Sequence, residues 1–188
     1  EGVNGLAVHV FNDGAAALAA RVELTLYRAG EIRVGHAASA IHVPAHAAIE
    51  IAASALFEGF ADLSFAYRFG PAMADVVHAV LFTELGPIAD AFWFPTGQPS
   101  VREADVGLAA VTRPGADMDE RILEVSARRY AQSVTISASG FVPDDNGFHL
   151  APGQTRTIVL RAHAPSPSSA RGTVSALNGE ATARFSTP

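Results

Sequence analysis

Apolar residues recur at every second position along most of this chain, a period that fits an extended strand and not a helix. Leu6, Val8 and Val10 share one face before Asn12-Asp13-Gly14 turns the chain. Val22, Leu24 and Leu26 repeat the pattern ahead of Ala29-Gly30-Glu31, and Ile49 and Ile51 form another short run. Leu63, Phe65 and Tyr67 alternate up to Gly70-Pro71, and residues 76–83 and 88–94 complete a first set. Pro95-Thr96-Gly97-Gln98-Pro99-Ser100 then interrupts the alternation with two prolines and a glycine, which reads as a linker. A second set follows at residues 104–111, 122–126, 134–138, 148–150, 155–162, 172–176 and 181–186.

Arg129-Tyr130-Ala131-Gln132 and Asn178-Gly179 read as hairpin-type turns, the second being the strongest such signal in the chain. Alanine is abundant in residues 47–57, which are expected to form a strand and then a one-turn helix at 54–57 capped by Ser54. About seven short strands per set is the spacing of a sandwich. The expected fold is all-β: two tandem immunoglobulin-like β-sandwiches, residues 1–98 and residues 99–188.

Composition narrows the function. Hydrophobic residues make up 49% of the 188, enough for two cores, and charged residues only 17%, too few for a disordered tail. A net charge of −6 with scattered basic residues leaves nothing to neutralise phosphates, so no nucleic acid is expected as partner. With no cysteine, a disulfide scaffold and a thiolate metal site are both excluded. The longest apolar run, residues 15–20, is far too short for a membrane span, and no membrane partner is expected. Glu1 enters almost directly on a strand, as in a piece cut from a longer polypeptide.

Catalytic chemistry finds little purchase. There is no G-x-S-x-G, and the serines of residues 166–169 decorate a proline-rich loop. The seven histidines, His9, His36, His42, His46, His78, His149 and His163, show no H-E-x-x-H spacing. Pro44 between His42 and His46 prevents a regular helix from aligning those two, so the histidines are expected on solvated strand faces. Asp144 and Asp145 are adjacent and would point to opposite faces of a strand, which suits backbone capping better than a paired-carboxylate site. Asp117, Asp119 and Glu120 follow Pro114-Gly115 and read as solvated loop charge. Trp93 could offer a stacking platform for a sugar ring, or could pack in a core; Phe92 and Phe94 lie on the opposite strand face. No catalytic, cofactor-binding or metal-ligating residue is assigned, and no cofactor is expected.

Three segments carry a resemblance. They are Leu6-Ala7-Val8-His9-Val10-Phe11-Asn12-Asp13, then Ala91-Phe92-Trp93-Phe94-Pro95 with Asp105-Val106-Gly107-Leu108, and Asp144-Asp145-Asn146-Gly147-Phe148-His149-Leu150-Ala151-Pro152-Gly153. Together they resemble the C-terminal immunoglobulin-like domains of family 2 glycoside hydrolases of the β-mannosidase or exo-β-glucosaminidase type. That family usually reads D-N-aromatic-F-D-L-x-P-G at the third segment, where this chain has Gly147 for the aromatic and His149 for the acid.

The resemblance implies a parent enzyme that cleaves terminal β-linked mannose or a related glycoside with retention, using two glutamates on a catalytic barrel. Such a barrel needs about 250 residues of alternating strand and helix, so it does not fit here. The role implied for this chain is support of the barrel of the same polypeptide, its principal expected partner. Carbohydrate and a second copy of the parent are the other partners allowed, and a bacterial cytoplasmic setting is expected. The competing readings are a stand-alone carbohydrate-binding module and an adhesive surface domain.

Overall fold

The computed structural model describes residues 5–57, 62–64, 70–98, 102–163 and 169–187. Among these residues the regular elements are fourteen β-strands and a single turn of 3-10 helix. They divide between two compact units, Glu1–Gln98 and Pro99–Pro188. The fold is all-β, as the alternation predicts, and each unit places one antiparallel sheet over another.

The first unit contains β1 (Ala7–Asn12), β2 (Leu18–Arg28), β3 (Ile32–Val43), β4 (Ala47–Ala52), β5 (Val76–Thr83) and β6 (Gly86–Trp93). One sheet pairs β1 with β4, and the other runs β3-β2-β5-β6. Val10, Val22 and Val43 are buried between them, with Ile49, Ile51 and Leu81 packed alongside. A second cluster gathers Leu24, Leu26, Ala53, Leu63 and Val77. Of the expected run through Leu63, Phe65 and Tyr67, the last two lie outside the described residues, as do the linker positions Pro99 and Ser100.

The longest strand, β3, was not among the runs expected from the alternation. Its residues facing Leu26, Leu24, Val22 and Ala20 are Gly35, Ala37, Ser39 and Ile41, so the inward row is mostly small and gives little contrast. Smallness is a packing requirement at Gly35, where a Cβ would lie 2.8 Å from Leu26 Cδ1. The β2–β3 hairpin closes through Ala29 and Gly30, both at positive φ (53° and 67°), the signature of a type I′ turn. One helical turn follows β4, but at Ala53–Leu56, with Ala52 as N-cap and no side-chain cap. Ser54 is therefore inside the turn and not its cap. Leu6 O accepts the Ala53 N–H at 2.8 Å, so the chain entering β1 satisfies one of the donors at the start of the turn.

The second unit contains β7 (Leu108–Pro114), β8 (Glu120–Ala127), β9 (Ala131–Ala138), β10 (Phe141–Pro143), β11 (Phe148–Leu150), β12 (Thr155–Ala162), β13 (Arg171–Ser175) and β14 (Ala183–Ser186). The sheets are β10-β12-β8-β7 and β11-β9-β13-β14. Leu123, Val125, Ile158 and Leu160 of the first meet Val134, Ile136, Leu150, Val174 and Phe185 of the second in one core. Each such side chain contributes about 1.5–3 kcal/mol gross, most of it offset by chain entropy.

Three expectations are corrected in this unit. First, β7 begins at Leu108 and not at 104, because Asp105 Oδ1 accepts the Gly107 N–H at 2.7 Å and Gly107 turns at φ +69°. Second, Arg129–Gln132 is not a hairpin: β8 and β9 belong to different sheets, so this link crosses the sandwich. Third, β13 and β14 do pair as a hairpin, but through residues 176–182, with Asn178 buried within the connection. β10, only three residues long, is an addition to the expected set.

Candidate functional site

The segment Asp144–Gly153 holds a close set of side-chain bonds, and each follows from the residue type. Asp144 Oδ1 accepts the Val159 N–H at 2.9 Å, clipping the segment to β12. Asp145 pairs with Arg156 at 2.6 Å. Asn146 presents both ends of its amide to Ile136: Oδ1 accepts the N–H at 2.8 Å and Nδ2 donates to the O at 3.1 Å. A side-chain amide thus extends the β11–β9 ladder as a peptide group would. Phe148 is buried against the core while Arg156 lies over its ring, 4.8 Å from the centroid. Ala151-Pro152-Gly153-Gln154 closes by a Gln154 N–H to Ala151 O bond of 3.0 Å, with Gly153 at φ +76°, a type II turn.

Opposite His149, β9 carries an extra residue. Phe148 pairs with Val134 and Leu150 with Ala131, so Gln132 and Ser133 together face His149 in a β-bulge. Ser133 has φ +45°. The bulge turns two N–H groups off the ladder, and two side chains receive them. His149 Nδ1 accepts from Ser133 at 3.0 Å, and Asn178 Oδ1 accepts from Gln132 at 2.8 Å. Asn178 Nδ2 also donates to Tyr130 O at 2.9 Å, and the Tyr130 hydroxyl stands 3.3 Å from His149 Nδ1. Burial of Tyr130 pushes its phenol well above the usual tyrosine range. His149 and Asn178 thus act as acceptors for the backbone, and Asn178 as a donor as well.

The other candidates are dispersed. Asp117 and Asp119 lie in the β7–β8 connection, whereas Glu120 starts β8 and accepts from Arg161 Nε at 3.2 Å; it is not a loop residue. Of the serines in 166–169, only Ser169 is among the described residues. His9, His36, His42, His46 and His163 are exposed, in line with the solvated-face expectation. His78 departs from it: only 5% exposed, it stacks on Phe92 with centroids 4.4 Å apart and meets Asp90 Oδ2 through Nε2 at 3.1 Å. His149 is the second departure, half-buried with its ring nitrogen engaged. Among the described residues no group of three or more His, Asp or Glu could hold a metal ion. Trp93 takes the core option, packing against the Leu24, Leu26 and Val77 cluster, with Nε1 buried and without a partner among the described residues.

Sequence reasoning missed the His78–Asp90–Phe92 group and the role of Asn178. Both depend on which residues meet across strands, and no local spacing encodes that.

Residues 103–183 match a family model, Ig_mannosidase, described as an Ig-fold domain. No curated protein sequence matches the chain. Among solved structures, the β-D-mannosidase from Dictyoglomus thermophilum is similar, with TM-score 0.66, 16% identity, and coverage of 96% of this chain and 21% of that one. An exo-chitosanase from Amycolatopsis orientalis, solved with PNP-β-D-glucosamine, gives TM-score 0.62 and 15% identity over 100% of this chain and 26% of its own. A structure of an exo-β-D-glucosaminidase gives TM-score 0.60 and 16% identity over 97% and 25%. At such identities the likeness concerns the fold, and the chain spans about a fifth to a quarter of each solved protein.

Proposed function

We propose, from the premise that residues 103–183 are an Ig-fold domain of the mannosidase type, that this chain is the non-catalytic accessory region of a β-mannosidase-like glycoside hydrolase. The observation that carries the reading is this match, joined to a likeness of fold that runs through both units. The parent would hydrolyse terminal β-mannosyl or related glycosides with retention, through two carboxylates about 5–5.5 Å apart on a barrel. This chain would contribute no catalytic residue: Asp144 and Asp145, the adjacent pair, are engaged by Val159 N–H and by Arg156. Its role would be to support the barrel of the same polypeptide, with residues 1–98 and 99–188 as separate sandwich domains.

The reading is tested on two levels. The isolated 188-residue chain is assayed with aryl β-mannoside and aryl β-glucosaminide; no turnover above buffer is expected, and turnover would refute the proposal. The coding frame upstream of Glu1 is also sequenced. A barrel with paired glutamates is expected there, and its absence would equally refute the parent assigned here.

A further inference from the structure

The outer face of the β11-β9-β13-β14 sheet carries an open groove of about 710 Å³. Its lining includes Ser137 and Ser139 beside β9's end, Arg171 and Thr173 of β13, and Arg184 and Ser186 of β14, all exposed. The register sets them in two cross-strand rows: Ser137, Thr173 and Arg184 in one, and Arg171 and Ser186 in the other, with Ser139 N–H bonded to Arg171 O at 2.9 Å. Arg171 and Arg184 are thus diagonal neighbours on adjacent strands, roughly 7–8 Å apart at the backbone.

These two arginines differ from the rest of their unit. Arg113, Arg128, Arg129, Arg156 and Arg161 are each paired with a carboxylate, and Arg102 and Arg121 donate to backbone carbonyls. Arg171 and Arg184 have no such partner among the described residues, although the chain as a whole is acidic at −6. Two like charges held side by side without counter-charge mark a place for an oxyanion, which a guanidinium binds in a bidentate fork.

Between these polar side chains the lining is Ala138, Gly172 and the buried Phe185, so the exposed side chains select the kind of ligand. The exposed large hydrophobics of this unit, Val111, Met118, Val142 and Leu177, all lie away from the groove. A protein interface would require apolar anchors at its centre. Hydroxyls, each a donor and an acceptor, match instead a ligand rich in hydroxyls. We propose that this groove is a binding site for an acidic oligosaccharide, with Arg171 and Arg184 holding its carboxylate groups and the serine and threonine hydroxyls bonding its ring hydroxyls. The proposal stands independently of the identity of the parent enzyme.

The test is calorimetric titration of the full chain with trigalacturonate, maltotriose and sodium sulfate, in low and in raised salt. Trigalacturonate is expected to bind, more weakly as salt rises, and maltotriose not to bind. Arg171→Gln and Arg184→Gln should each weaken binding by about tenfold, whereas Arg113→Gln, on the opposite sheet, should leave it unchanged. Unchanged circular dichroism establishes that each variant is folded, as expected for exposed side chains. The proposal is overturned if trigalacturonate fails to bind, if both groove variants bind it like the parent chain, or if sulfate binds as tightly.

Discussion

His149 Nδ1 accepts the backbone N–H of Ser133 at 3.0 Å, and that single bond explains why a histidine can stand where the resembling family carries an acid. The donor is a peptide N–H turned out of the ladder by the bulge, so the position demands an acceptor and not a charge. An imidazole protonated on Nε2 supplies one, as a carboxylate does.

The first prediction tests that equivalence. His149→Asp should hold stability within about 1 kcal/mol, because the carboxylate accepts the same bond. His149→Leu should cost about 1–3 kcal/mol, the penalty of leaving the donor unsatisfied. Urea unfolding followed by circular dichroism measures both, and a leucine variant as stable as the aspartate one contradicts the account.

Asn178 supports a second prediction. Read as the tip of a hairpin, it would tolerate glycine or aspartate. It is instead 4% exposed, with its amide divided between Gln132 N–H and Tyr130 O. Asn178→Ala leaves two backbone groups unpaired and should cost about 2–4 kcal/mol. Asn178→Asp keeps the acceptor and loses the donor, so it should fall between the parent and alanine. A cost for Asn178→Ala below about 0.5 kcal/mol, the level of an ordinary surface position, would restore the turn-tip reading.

What the sequence made legible follows from contrast between neighbouring positions. Val22, Leu24 and Leu26 stand against Arg21, Glu23 and Thr25, so the facing of β2 was evident from the letters alone. In β3, Ala37 and Ser39 face inward while Ala38 and Ala40 face outward, and no pattern distinguishes them. Turn chemistry was readable where the turn is local, as at Ala29-Gly30 and Pro152-Gly153. It misled at Asn178-Gly179, where the side chain answers groups 46 and 48 residues away. The third resembling segment fared better because Phe148 and Leu150 alternate into the core as expected.

Phe148 gives the third prediction. It is 8% exposed, within the core cluster of the second unit. Phe148→Ala should cost about 3–5 kcal/mol in urea unfolding. A loss below about 1 kcal/mol would mean that the Arg156 side chain over the ring closes the gap and that the ring's own burial matters little.

A fourth concerns the β2–β3 hairpin. Ala29 holds φ 53°, a left-handed conformation that costs an L-residue with a Cβ roughly 1 kcal/mol and that asparagine tolerates better. Ala29→Asn should therefore stabilise the first unit by about 0.5–1 kcal/mol. The fluorescence of Trp93, the only tryptophan, reports this unit, and an unshifted or lowered midpoint argues against strain at the turn.

Alkaline pH offers the last. Burial raises the phenols of Tyr130 and Tyr27 above their ordinary value of 10.0, with Arg33 partly opposing the rise at Tyr27. Below that value both folded and unfolded chains keep these protons, and stability does not depend on them. As pH climbs past it the unfolded chain releases protons that the folded chain retains, so stability falls, by at most about 1.4 kcal/mol per pH unit for each phenol. Tyr130→Phe should flatten this slope for the second unit while leaving that of the first, where Tyr27 lies. Urea titrations repeated between neutral pH and the alkaline limit, read by circular dichroism for the whole chain and by Trp93 fluorescence for the first unit, separate the two contributions. An unchanged alkaline slope in Tyr130→Phe would show that this hydroxyl ionises as freely in the folded protein as in the unfolded chain.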